Sequence, residues 1–253
     1  MTDEEEQRLG IQSVEVAGRI LAALAAAPAP VMLKTLAETS GMPVAKVHRY
    51  LTSLTRCGLA VQDGAGGRYG VGPFAIQLGL AGLRQVDAVR SAGEALPGLR
   101  DEINETVALA VWANRGPTVV RIDESSQPVT MNMRAGSVLP LARSAIGLGF
   151  LAFLPRTVTA SVLDAERSEA GVPPDLDGRL AAIAAAGVAV SDGLTLPGVA
   201  ALACPVFDHE GRVAAVIGVV GRQGSLDLGL GGKPARALRL VAAEVSGRLG
   251  YAV

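Results

Sequence analysis

Apolar residues recur at helical steps through the first sixty positions, and polar ones fill the gaps. Val14, Ala17, Leu21 and Leu24 predict a helix from Ile11, with Ser13 as its cap and the run APAP at 27–30 ending it. A short helix fits 34–40, with Leu36 and Ala37 inward and Gly41 as its cap. Pro43 suits the first turn of a third helix, whose apolar stripe is Val44, Val47, Leu51 and Leu54. Its remaining face carries Ala45, Lys46, Arg49, Tyr50 and Ser53. Short β-patterned runs at 59–62 and 68–71 flank a glycine-rich turn and predict a hairpin. Three helices followed by a hairpin is the order of a winged helix-turn-helix.

Residues 74–90 read as one amphipathic helix, a linker. From about 91 the chain turns rich in Ala, Val and Gly, and strand and helix patterns alternate. Strands are expected at 106–114, 117–125, 128–133, 188–191, 199–208 and 212–221, with the last two joined by a turn at His209-Glu210-Gly211. Helices are expected at 142–154, 176–187 and 233–250. The organisation is therefore α+β: a disordered 1–10, a winged helix-turn-helix at 11–73, a linker helix at 74–90, and an antiparallel-sheet domain at 91–253.

Charge sharpens the first domain. The whole chain is balanced, with 23 Lys+Arg against 24 Asp+Glu. Within 31–73, however, Lys34, Lys46, Arg49, Arg56 and Arg68 face Glu38 and Asp63, a net charge of +3. Two distant cysteines, Cys57 and Cys204, and two histidines give no disulfide framework or zinc spacing, so no metal is expected. The start MTDEEEQRLG is unlike a secretory signal, and ILAALAAAP is too short to span a bilayer. The expectation is a soluble, cytoplasmic protein with no membrane partner. No G-x-S-x-G, Walker or dinucleotide pattern occurs and no carboxylate pair is marked, so neither catalytic residue nor cofactor is expected.

The segments IQSVEVAGRILAAL, TLAETSGMPVAKVHRYLTSL and GGRYGVGP resemble the DNA-binding domain of IclR-type bacterial transcriptional regulators. MRAGSVLPLARSAIGLGFLAFLP and PGVAALACPVFDHEGRVAAVIGVVG resemble the effector-binding domain of the same family, in the same order. The resemblance implies a GAF-like C-terminal domain that binds a small metabolite. It also implies a homodimer or tetramer on an inverted-repeat DNA operator. The chain departs from relatives at Ala45-Lys46, where many have Ser-Thr. It departs again at Ser144–Leu148, where relatives carry Thr-Ala-x-Gly-Lys, and the lysine is missing.

Lys46, Arg49 and Tyr50 have donors suited to base edges, with Pro43, Ala45 and Ser53 on the same helix. Lys34 and Thr35 suit the phosphate backbone, and Arg68 suits phosphate or minor groove from the wing. His48 reads equally as a half-buried histidine or a phosphate contact, and Cys57 as a small apolar residue at the helix end. In the second domain the resemblance implies pocket positions at Met131, Leu141, Ala145, Ile146, Ser191, Ala201, Gly218 and Val220. Ser144 joins them as a second hydroxyl beside Ser191, near a helix N-terminus suited to a carboxylate. Trp112 reads as core or pocket lining; so do Met131 and Met133. A largely apolar pocket without the lysine points to an aromatic or branched organic acid as effector. The expected role is control of a catabolic operon. The alternative is a metabolite sensor that acts through protein contacts without specific DNA binding.

Overall fold

Steps of four, more than steps of three, seat the first helix. In the computed structural model, which describes residues 10–64, 67–85, 87–126, 133–169 and 171–252, α1 (Gln12–Ala26) buries Val16, Ile20 and Leu24. The buried stripe is thus displaced from the expected one, and Val14 is 65% exposed. A 3.6-residue repeat allows overlapping stripes to be drawn, and only the packing partners choose between them. Ser13 lies within the helix; Ile11 holds the cap position, with no side-chain cap.

α2 (Leu33–Thr39) buries Leu36 and Ala37 and gives way to Gly41, whose φ of 65° is open to glycine at little cost. Pro43 is the N-cap of α3 (Val44–Arg56), which buries Val47, Leu51 and Leu54. Val44 stays 46% exposed, because the first turn stands clear of the core with Pro43 and Ala45 exposed beside it. β1 (Ala60–Gln62) and β2 (Tyr69–Val71) pair antiparallel from Ala60↔Val71 to Gln62↔Tyr69, and Val31 bridges to Tyr69. Buried Tyr69 and Ala60 join the three helices in one small core.

The expected single helix at 74–90 is two. α4 (Pro73–Gln85) ends, and α5 (Ala88–Ile103) begins after Asp87, whose carboxylate accepts the amides of Val89 and Arg90 at 3.0 and 3.1 Å. A capped start of this kind separates two helices even where the apolar pattern runs on. The chain divides there into two compact units, Met1–Gln85 and Val86–Val253.

The second unit is built on five antiparallel strands in the order β4-β3-β7-β6-β5. These are β3 (Thr106–Ala113), β4 (Gly116–Asp123), β5 (Ala189–Asp192), β6 (Val199–Phe207) and β7 (Val213–Arg222). Alternation sends Leu109, Leu202, Cys204, Ile217 and Val219 to one face, where α5 and α9 (Lys233–Arg248) cover them. Lys233 Nζ donates to the Glu102 carbonyl at 2.7 Å, tying α9 to the end of α5. The other face meets α6 (Ala145–Phe153), buried from Ala145 to Leu151, and α8 (Leu176–Ala186), which ends at Gly187 as expected. α7 (Arg156–Glu169) was not legible in the pattern and buries only Thr159. The expected strand at 128–133 lies outside the described residues except for Met133, which is in no strand; the expected disorder at 1–10 likewise falls outside them except for Gly10.

Candidate nucleic-acid interface and buried cavity

α3 offers a cationic face. Lys46, Arg49, Tyr50 and Ser53 follow one another at steps of three, one and three, which places them on one side of the helix, and no acidic residue lies between. Ala45, His48, Arg49 and Ser53 are exposed; Lys46 and Tyr50 are half-buried, Tyr50 against the core. His48 is thus not the half-buried histidine of one reading. Ser53 Oγ donates back to the Arg49 carbonyl at 3.4 Å, a weak bond that leaves its lone pairs available. Lys34 and Thr35 are exposed on α2, and Lys34 stands 4.0 Å from Glu38, an exposed pair that restrains it little. Arg68 is exposed at the hairpin turn, and Cys57 is exposed at the end of α3.

In the second unit a small cavity of about 40 Å³ lies between the sheet and the N-terminal end of α6. Val199 and Ala201 of β6 and Gly218 and Val220 of β7 line it from the sheet, and Ser144, Ala145 and Ile146 from α6. Met133, Leu139, Thr195 and Leu202 complete it. Of the positions expected there, Ser144, Ala145, Ile146, Ala201, Gly218 and Val220 come together. Leu141 does not line it: it is fully buried beside α6. Trp112 packs edge-on to Phe150 at 5.8 Å, in the core reading, and Met131 lies outside the described residues.

Neither serine has an idle hydroxyl. Ser144 Oγ donates to the Pro140 carbonyl at 2.6 Å and accepts the Gly147 amide at 2.9 Å, so it caps α6. Ser191 Oγ donates to the Arg143 carbonyl at 2.7 Å and does not line the cavity; Thr195 Oγ1, which does, shares that acceptor at 3.1 Å. Sequence reasoning missed Leu139, Thr195, Val199 and Leu202. Val199 was accessible, two residues from Ala201 and therefore on the same face of β6. The others reach the cavity through irregular segments or through backbone.

A larger open cleft of about 610 Å³ lies nearby, lined by Arg115, Leu139, Arg143 and the α7 residues Val162, Glu166 and Glu169 among others. Glu166 accepts the backbone amides of Leu141 at 2.5 Å and Ala142 at 3.2 Å across this cleft. Among the described residues, no three His, Cys, Asp or Glu side chains are grouped to hold a metal ion, and no helix is long and apolar enough to cross a membrane.

Comparison with known proteins decides what these two units are. Residues 13–64 match the IclR helix-turn-helix domain, and residues 80–246 match the family described as bacterial transcriptional regulator IclR C-terminal. The chain belongs to the IclR family. Its members are transcriptional regulators, not enzymes. The chain is 44% identical to Pseudomonas aeruginosa HmgR, whose crystal structure superposes with a TM-score of 0.88 over 95% of this chain and 99% of that one. It is 27% identical to the transcriptional repressor IclR of Escherichia coli, over 83% of this chain and 80% of that protein. It is 29% identical to the HTH-type transcriptional regulator KipR of Bacillus subtilis, over 75% and 78%. The repressor BlcR of Agobacterium tumefaciens, at 23% identity and a TM-score of 0.79, shares the fold.

Proposed function

We propose that this IclR-family regulator is ligand-responsive: a small organic acid held in the second unit alters the affinity of the first for an inverted-repeat operator. The observation that carries the ligand half is the cavity at the N-terminal end of α6, apolar along the sheet and closed by Ser144, Ala145 and Ile146 at the start of that helix. A helix N-terminus favours a carboxylate, and the apolar floor favours a hydrocarbon body. At about 40 Å³ the cavity is smaller than an aromatic or branched acid, so ligand entry displaces a side chain, and Ile146 is the one that fills the space over the sheet. An apolar cavity that takes benzene is about 150 Å³.

On the DNA side, Lys46, Arg49 and Tyr50 read bases, while Lys34, Thr35 and Arg68 hold phosphates, with Pro43, Ala45, His48 and Ser53 near the groove. A homodimer or tetramer fits the exposed apolar residues Ile11 and Val14 at the start of α1 and Phe74, Ile76, Leu78 and Leu80 of α4. The relatives named acetate operon repressor, of Salmonella typhimurium, and glycerol operon regulatory protein, of Streptomyces coelicolor, support control of a catabolic operon.

The test is an electrophoretic shift on the DNA flanking the protein's own gene, with a panel of aromatic and branched carboxylic acids. Binding is expected to depend on Arg49 and to change with at least one acid, because an effector must prefer one state of the regulator. Operator affinity and transcription both indifferent to every acid at saturation would remove the ligand response from this reading.

A further inference from the structure

α7 is a surface helix with little to hold it. Only Thr159 is buried, with Val162 and Leu163 half-covered against the core, and the open cleft lies alongside. Among the described residues two polar ties reach distant segments. Arg156 at its first turn meets Asp177 at 3.2 Å, an exposed pair that restrains it little. The part-buried carboxylate of Glu166 takes the amides of Leu141 and Ala142. Both of those residues are fully buried, and no other acceptor meets these two amides among the described residues. Without Glu166 these amides would keep no protein acceptor among the described residues and would face the open cleft that Leu141 and Glu166 both line.

The segment these amides belong to is a wall shared by two spaces. Leu139 lines both the cavity and the cleft, and Ser144 at the segment's end lines the cavity. β5 and the turn after it hold one side of this wall, through Ser191 and Thr195 on the Arg143 carbonyl. α7 holds the other, through Glu166. A carboxylate accepting two consecutive amides is a stronger and more directional tie than a hydroxyl on a carbonyl.

We propose that Glu166 is a positioning residue of the cavity: its carboxylate, which lines the cleft and not the cavity, fixes the 139–144 wall in the form that receives the ligand. The ligand half of this statement rests on the function proposed above. If the untethered wall is correctly placed about a tenth of the time, apparent ligand affinity falls about tenfold with no cavity residue changed.

Glu166→Ala and Glu166→Gln in the full chain test the proposal by amide hydrogen exchange. Glutamine keeps a carbonyl oxygen at the same reach, so it can accept an amide that alanine cannot. The expected result is at least tenfold faster exchange confined to 139–146 in Glu166→Ala, wild-type exchange in β6 and β7, and recovery of most protection in Glu166→Gln. Unchanged exchange at 139–146 in Glu166→Ala overturns the proposal. So does faster exchange throughout the second unit in both variants, which marks a general stabilising role. Benzoate, followed by thermal shift, supplies the ligand arm. Where it raises the wild-type melting temperature, its half-saturating concentration must rise about tenfold in Glu166→Ala and recover in Glu166→Gln, and an unchanged value again overturns the proposal. If neither benzoate nor any acid of the panel shifts the wild type, the ligand reading falls, while exchange at 139–146 still decides whether Glu166 holds the wall.

Discussion

Ile146 occupies the space that any side chain on Gly218 would need. A Cβ on Gly218 would come within 2.7 Å of Ile146 Cδ1 and 2.8 Å of Cγ1. Gly218 lies opposite Ala203 on β6 and Ala108 on β3, so a row of small residues crosses the sheet under the start of α6.

Gly218→Ala is therefore expected to destabilise the chain by about 1 kcal/mol, since Ile146 must leave its place in a close-packed site. Ile146→Ala alone is expected to cost about 2–3 kcal/mol through the cavity it leaves. The double variant is expected to cost less than the two together by about 1 kcal/mol, because alanine at 146 makes room for alanine at 218. Urea unfolding of the four proteins measures this, and strict additivity would show that the two residues do not compete for one space.

On the proposed DNA-binding face, Lys46→Ala is expected to change base preference, and Lys34→Ala to weaken binding to all sequences alike. Loss of one phosphate contact lowers the slope of log affinity against log salt by about 0.9. Fluorescence anisotropy on operator variants at several salt concentrations separates the two. Equal loss across variants for both substitutions would refute the division.

The two thiols are expected to differ sharply in reactivity. Cys204 is 2% exposed, and burial pushes its thiol up to about 12, outweighing the opposite pull of Arg239. At pH 8 only about one in ten thousand such groups is a thiolate. Cys57 is exposed. An aromatic disulfide reagent should titrate one thiol quickly in the native protein and the second only in denaturant. Cys57→Ser should abolish the fast reaction; a fast reaction that survives it would place the reactive thiol at Cys204 instead.

Asp208 sits at the β6–β7 turn and links stability to pH. Burial raises its carboxyl, but the amides of Arg212 and Glu210, then the Arg212 guanidinium, outweigh it and hold the group below its ordinary 3.8. A carboxylate with a depressed folded value contributes stability above its unfolded value, and that contribution disappears as pH falls through the folded one. Asp208→Asn should thus be less stable than wild type at pH 7, with the gap narrowing below about pH 4. Urea midpoints at pH 7 and pH 3 measure it, and an undiminished gap at pH 3 would contradict the assignment.

What the pattern of residues revealed, and what it hid, follows from where the energy lies. Val47, Leu51 and Leu54 were legible because they are the hydrophobic contact that seats α3. Val44 and Val14 fit the same spacing yet stay exposed, since periodicity marks a face and not its edges. α7 was invisible because a helix that buries only Thr159 has no apolar stripe to read. The break at Asp87 was hidden by an apolar pattern running past it, although aspartate before Ala88 is an ordinary cap signal. In the cavity, Ala201, Gly218 and Val220 were implied by the family resemblance, and alternation along β6 and β7 accounts for their sharing one face. Thr195 and Leu139 do not, because tertiary packing alone brings irregular segments to one place. Ser191 lies on the expected strand, but its hydroxyl is committed to the Arg143 carbonyl, a partner 48 residues away that no local pattern announces.

The tie between Lys233 and the Glu102 carbonyl joins the first and last helices of the second unit. While the polypeptide is being made, α5 emerges before any of the five strands of the second unit and α9 only after all of them. Until then Leu202, Ile217 and Val219 have α5 alone above them. A chain halted before residue 233 leaves that sheet face without one of its two covering helices, an exposed apolar surface of the kind that promotes aggregation during synthesis.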